Sequence, residues 1–227
     1  MIALLSPQFA TQDDNGQGTG IAPISQWVEI TMHHQHIIAP SSDMFSMDPA
    51  IHDILHRLRM LSDEDGPFEL STTDFHDLVC FVLHRLLDPQ MNAQHSATPP
   101  STTSECFRLA LALYLLAVHG PTYFSHVRLQ YSLMQQLKRH LGNILPSIDA
   151  AHSSLTIWLL SIGMVASYDT LDGQDFIRQA SRAATVLCVF SWEDVLFHVK
   201  EILWFERQQA EHLFRQAWDN VWSATAT

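Results

Sequence analysis

LTIWLLSIGMVAS (Leu155–Ser167) and FIRQASRAATVLCVFSWEDVLFHVKEILW (Phe176–Trp204) are the stretches whose reading decides the fold class. The first is apolar on nearly every side and is interrupted only by small residues such as Ser161 and Gly163, the pattern of a buried core helix. The second closes on a helix opened by Ser191-Trp192-Glu193-Asp194, along which Trp192, Val195, Leu196, Val199, Ile202 and Leu203 share one face. Ser191 with Asp194 three residues on resembles a capping box, with Asp in place of the longer Glu.

The same period extends outward. Asp48-Pro49 reads as an N-cap followed by proline at the first helical position, and Ile51, Ile54, Leu55, Leu58 and Leu61 make the stripe of that helix. Another helix starts near Thr72 or Thr73 and carries Phe75, Leu78, Val79, Val82, Leu83 and Leu86. ECFRLALALYLLAVHGP (Glu105–Pro121) is apolar almost all round and should be central, ending at Gly120-Pro121. Residues 122–141 should form an amphipathic helix with Phe124, Val127, Tyr131, Met134, Leu137 and Leu141 on its apolar face. Thr170–Asp175 (TLDGQD) reads as a turn before a helix over 175–189, and Leu213, Phe214, Trp218, Val221 and Trp222 mark a last amphipathic segment. No segment alternates with period two. The expectation is an all-α, irregular bundle of roughly seven to eight helices with a weakly ordered N-terminal segment. The boundaries drawn are a flexible segment over 1–46, one helical domain over 47–222 and a tail over 223–227. Within 1–46 the apolar islands Ile2–Leu5 and Trp27–Ile30 are placed to dock on the body, and 89–103 is a polar, proline-rich loop.

Charge narrows the function classes. The net charge is -12, from 24 acids and 12 bases, and Lys138 and Lys200 are the only lysines. Phosphate binding needs clustered positive charge, so no direct nucleic-acid binding and no attraction to an acidic membrane is expected. The longest apolar runs fall short of the roughly 20 residues of a membrane-spanning helix. Only 16% of residues are charged, against roughly 25% in ordinary domains. A chain so poor in charge buries much of itself or keeps an apolar patch for a partner. Cys80, Cys106 and Cys188 each lie in an apolar helical pattern without a CxxC pair and read as buried thiols of a reducing compartment.

Motifs with chemistry are sparse. His33, His34 and His36 (HHQH) could bind a metal, but the cluster lies in a polar segment with no acidic ligand at fixed spacing, so solvated histidines are expected and no metal or cofactor is assigned. Asp74, His76 and Asp77 open a helix, where carboxylates favour the positive end of the dipole. Their functional reading is a carboxylate–imidazole pair for acid/base work, and His119 is the further candidate if the chain is an enzyme. His198 and Glu201 read as surface polar residues, and Gly16–Gly20 (GQGTG) as a linker rather than a phosphate loop. Phe214, Trp218 and Trp222 either pack on the body, the simpler expectation, or form a docking helix for a partner.

Three blocks in order resemble the C-terminal regulatory domain of fungal zinc binuclear-cluster transcription factors. ECFRLALALYL (Glu105–Leu115) resembles that domain's central helix. LTIWLLSIGMVAS resembles its Leu-Trp-x-Leu…Gly-Gly-x-Ala helix, with Met164 in place of the second glycine. SWEDVLFHVKEILW (Ser191–Trp204) resembles its Ser-Trp-Glu-Glu-Val helix. The likeness spans roughly residues 50–222. It implies an all-α fold, nuclear action and control of metabolic or secondary-metabolite genes. The family's six-cysteine zinc cluster has no counterpart among three dispersed cysteines. The resemblance therefore implies action through a protein partner, such as a DNA-binding transcription factor, with a small apolar effector as a second expectation. The alternative is a secondary-metabolism enzyme, cyclase- or isomerase-like, with an apolar substrate pocket among the helices.

Overall fold

The computed structural model describes residues 11–34, 47–63, 65–88, 101–120, 126–144, 153–168 and 170–225. Among these the chain is all-α, as the periodicity predicts. The described residues hold nine helices: α1 (Ser25–His34), α2 (Pro49–Ser62), α3 (Thr72–Leu87), α4 (Thr102–His119), α5 (Val127–Ile144), α6 (Ser153–Ala166), α7 (Leu171–Leu187), α8 (Trp192–Ile202) and α9 (Gln208–Thr225). No helix among the described residues is long and apolar enough to cross a membrane. The chain divides into two compact units, Met1–Leu115 and Leu116–Thr227. Periodicity marks which residues are buried but not which helices pair, so this division was not legible in the stripes.

In the first unit the starts of the helices are written locally. The Asp48 carboxylate accepts the Ala50 N–H at 2.9 Å ahead of Pro49. Ser71 and Asp74 form a reciprocal capping box at the head of α3. The stripes of α2 and α3 are buried as expected, apart from Leu83, which is half-buried. The Trp27–Ile30 island docks as its sequence suggested. Trp27 is fully buried, its ring edge-on to Phe81 at 5.6 Å, and its indole N–H donates to Asp14 Oδ1 at 2.8 Å. Arg57, itself buried, lies over the Trp27 ring and pairs with Asp53 at 2.8 Å. Arg85 pairs with Asp14. Two of the scattered arginines, Arg57 and Arg85, thus close a polar knot around Asp14 and Trp27. In α4, Cys106–Leu115 is buried except for Arg108, whose guanidinium donates to Leu86 O at 2.6 Å and to Glu105. Burial, with Glu105 beside it, pushes the Cys106 thiol up to about 12.

In the second unit α6 is the hub and packs on α5, α7, α8 and α9. Its small residues make that possible. Ser161 is fully buried, donates to Ile157 O at 2.7 Å and accepts the Trp218 indole N–H at 2.9 Å. Gly163 faces the Phe176 ring so closely that a Cβ there would fall 2.3 Å from a ring carbon. The Trp158 indole N–H donates to Leu203 O at 3.1 Å and ties α6 to the end of α8.

Several expectations are corrected in this unit. α5 begins at Val127, and Val127 and Tyr131 are exposed, while Leu133, Met134, Leu137 and Leu141 face inward. Phe124 lies outside the described residues. The stretch read as a turn at Thr170–Asp175 is the N-cap and first turns of α7. Asp172 sits there where a carboxylate suits the helix dipole, and Gly173 allows the close approach of Ser167 O, 2.8 Å from where a Cβ would stand. Cys188 is not a buried helical thiol: α7 ends at Leu187, and Cys188 is its exposed cap, in the left-handed region at φ 57°. Cys80 is half-buried. Trp204 is buried in an irregular segment after α8, and α9 runs on through Thr225 into the residues read as a tail.

Candidate functional site

The acids singled out in the sequence come together at the head of α3. Asp74 and Asp77, with Cys80 and residues 21–24, line a cavity of about 330 Å³. Its chemistry is that of a helix cap. Asp74 Oδ2 accepts the Ser71 hydroxyl at 2.7 Å and the Ser71 N–H at 3.2 Å, and the hydroxyl bond does most to hold its carboxyl below the ordinary value. A carboxylate lowered in this way is a weak base and no acid near neutrality. Burial, with Asp77 nearby, pushes the Cys80 thiol up, which keeps it protonated and poorly nucleophilic. His76 is exposed and its Nε2 lies 3.7 Å from Cys80 Sγ. His119 belongs to the second unit and is half-buried in the last turn of α4. Of the histidine cluster, His36 and the side chains of His33 and His34 lie outside the described residues. Among the described residues no three His, Cys, Asp or Glu side chains gather as metal ligands.

Phe214 and Trp218 of α9 pack on the body, the simpler of the two expectations. Phe214 and Trp218 face inward, buried, and Trp222 is half-buried beside Trp218 with ring centroids 5.9 Å apart. Phe214 meets Trp204 edge-on at 5.4 Å. Phe214, Trp218 and Val221 of the α9 stripe are in the core, Trp222 is half-buried and Leu213 is exposed.

Sequence reading missed one cluster. Ser154, at the start of α6, donates from Oγ to Glu201 Oε2 and lies 2.8 Å from His198 Nδ1. With the serine O–H directed at the carboxylate, its oxygen bonds the imidazole only as the acceptor of an Nδ1–H. A nucleophilic triad needs the reverse, an imidazole that accepts the serine proton. The cluster is therefore a polar tie between α6 and α8. The three-residue spacing of His198 and Glu201 was visible, but nothing local pointed to Ser154.

Two surface features remain in the second unit. Val186, Phe190 and Phe197 are 78%, 71% and 62% exposed. The Phe190 N–H donates to Asp194 Oδ2 at 2.9 Å, which holds Phe190 at the head of α8, and Phe197 follows Asp194 by one helical step of three residues. A cavity of about 510 Å³ opens where α6 turns into α7 against α9.

The fold is all-α, and of the acids singled out at α3, Asp74 serves a helix cap. No protein-family model, curated protein or solved structure matches the chain.

Proposed function

We propose that the chain is a regulator-type interaction module, of the kind fungal zinc-cluster factors carry in their C-terminal half, and that it controls metabolic or secondary-metabolite genes in the nucleus through a protein partner. The observation that carries this reading is the exposure of three large apolar side chains, Val186 near the end of α7, Phe190 just before α8 and Phe197 on α8. Where such side chains join in one patch they mark a protein contact. Glu193 and Glu201 are exposed on the same helix, and the chain carries a net -12. The complementary partner surface is therefore apolar and basic, such as the flank of a DNA-binding protein. The resemblance supports the reading from the other side: its second and third blocks form α6 and α8, which pack together through Trp158.

The test is transcript profiling, with metabolite extraction, of a strain lacking the gene and of one carrying Phe190→Ser with Phe197→Ser. The expected result is a set of transcripts that moves together in both strains while the double variant accumulates normally. Steady transcripts with one lost metabolite and an accumulated precursor would sink the proposal and turn attention to catalysis.

A further inference from the structure

The cavity of about 510 Å³ lies within the second unit, lined by the end of α6, the start of α7 and one face of α9. Its size falls in the range of about 300–1,000 Å³ typical of small-molecule sites. None of its described lining side chains is charged, although the chain as a whole is strongly acidic. Met164 and Ile177 supply apolar wall, and hydroxyls and amides supply most of the rest.

The hydrogen bonds already made decide what the polar wall can offer. The Ser167 hydroxyl donates to Gly163 O at 2.6 Å, Thr170 to Ser167 O at 2.7 Å and Ser223 to Asp219 O at 2.8 Å. Ser167 is fully buried and offers a ligand nothing, while Thr170 and Ser223 present only acceptor lone pairs. Tyr168 accepts from Gln216 Nε2 at 3.0 Å and keeps its own proton to give. Gln174 and Asn220 are exposed, and each adds an amide that both donates and accepts. The described side chains of the wall offer both donors and acceptors and no charge. An anion would meet no cationic side chain among the described lining residues, and a cation no carboxylate. An apolar molecule would leave the hydroxyls and amides without water, at a cost. Hydroxyl groups fit, because each gives one proton and accepts others.

The geometry points to a binding site for a neutral, hydroxyl-rich small molecule of the sugar or polyol class at the α6–α7 turn. This replaces the apolar effector expected from the resemblance, and it stands whether or not the regulator reading holds.

The test is a titration of the full chain, labelled for NMR, with glucose, myo-inositol and trehalose. Each is taken to about 100 mM, enough to reveal a Kd of about 10 mM. Glucose 6-phosphate and indole serve as charged and apolar comparisons. At least one neutral probe should shift the backbone amides of Gly173 and Ser223 saturably. Replacing Gln174→Ala and Asn220→Ala together should weaken that binding about tenfold or more. Both residues are exposed, so an unchanged melting temperature will show that the variant keeps its fold. The proposal is overturned if no neutral probe saturates the site, if glucose 6-phosphate or indole binds there in preference, or if the double variant binds as the parent does.

Discussion

Replacing Gly163 with alanine adds one methyl group at the tightest point of the second unit. Its Cβ would stand 2.3 Å and 2.4 Å from two carbons of the Phe176 ring and 2.9 Å from a third. Phe176 is 1% exposed, so the ring has no open side to retreat into. Overpacking of this kind costs about 1–3 kcal/mol, and contacts this short put it near the upper end. Alanine returns about 1 kcal/mol of helix propensity over glycine. The net expectation is a loss of about 2 kcal/mol, or a fall in Tm of roughly 4–8 °C for a chain of this size. Gly142 is the internal control. It is exposed in α5, and a Cβ there would meet nothing within 4 Å, so the same substitution should stabilise by up to about 1 kcal/mol. Urea unfolding followed by tryptophan fluorescence measures both. Combining Gly163→Ala with Phe176→Leu should recover about 1–2 kcal/mol relative to the sum of the single changes, since the two sites are in contact. If Gly163→Ala is as stable as Gly142→Ala, or the two changes simply add, the close approach of α6 and α7 is wrong.

Ser161→Ala should cost about 1–3 kcal/mol, because it leaves the fully buried Trp218 indole N–H without its acceptor; denaturant midpoints check this. Cys188→Gly should raise stability by about 1 kcal/mol, since residue 188 caps α7 in the left-handed region that glycine enters freely. An unchanged or lower Tm would argue against that cap. The Lys138 ammonium, bonded to Asp172 and Asp175, holds both carboxyls below the ordinary carboxylate range, and they raise it in turn. The carboxylate contribution is present above the ordinary carboxylate range and is lost as pH falls through the lowered values. The lysine contribution is present below the ordinary lysine range and is lost as pH rises through its raised value. The Tm difference between the parent and Lys138→Met should therefore be widest at middle pH and shrink at both extremes. A difference that stays flat into acid would refute the ion-pair account.

Capping and stripes were legible because they are local. Asp48, Ser71 and Ser191 each meet backbone groups two or three residues away, and Asp48 and Ser191 stand where the sequence placed them. The start of α7 was misread because Gly173 and Asp172 are turn residues by composition. What recruits them into a helix is the close approach of the Ser167 carbonyl and the pairing with Lys138, thirty-four positions earlier in sequence. The place of Asp74 at a helix start was legible, and the structure adds its partner, the Ser71 cap. The tie of Ser154 to His198 and Glu201 spans 44 and 47 residues, and the cavity at the α6–α7 turn draws on three helices. Neither has a local signature.

The sequence by itself determined that this protein is all-α, where α2, α3 and α8 begin and which faces of α2 and α3 turn inward. Those properties follow from a 3.6-residue period and from hydrogen bonds within one helical turn. Only the tertiary structure decided that Ser161 accepts from Trp218, that Gly163 receives the Phe176 ring, and that Asp14 joins Trp27 to Arg85. A stripe specifies that a face will be buried. Which face it meets is set by the fit of small against large side chains and of donor against acceptor, between segments tens of residues apart.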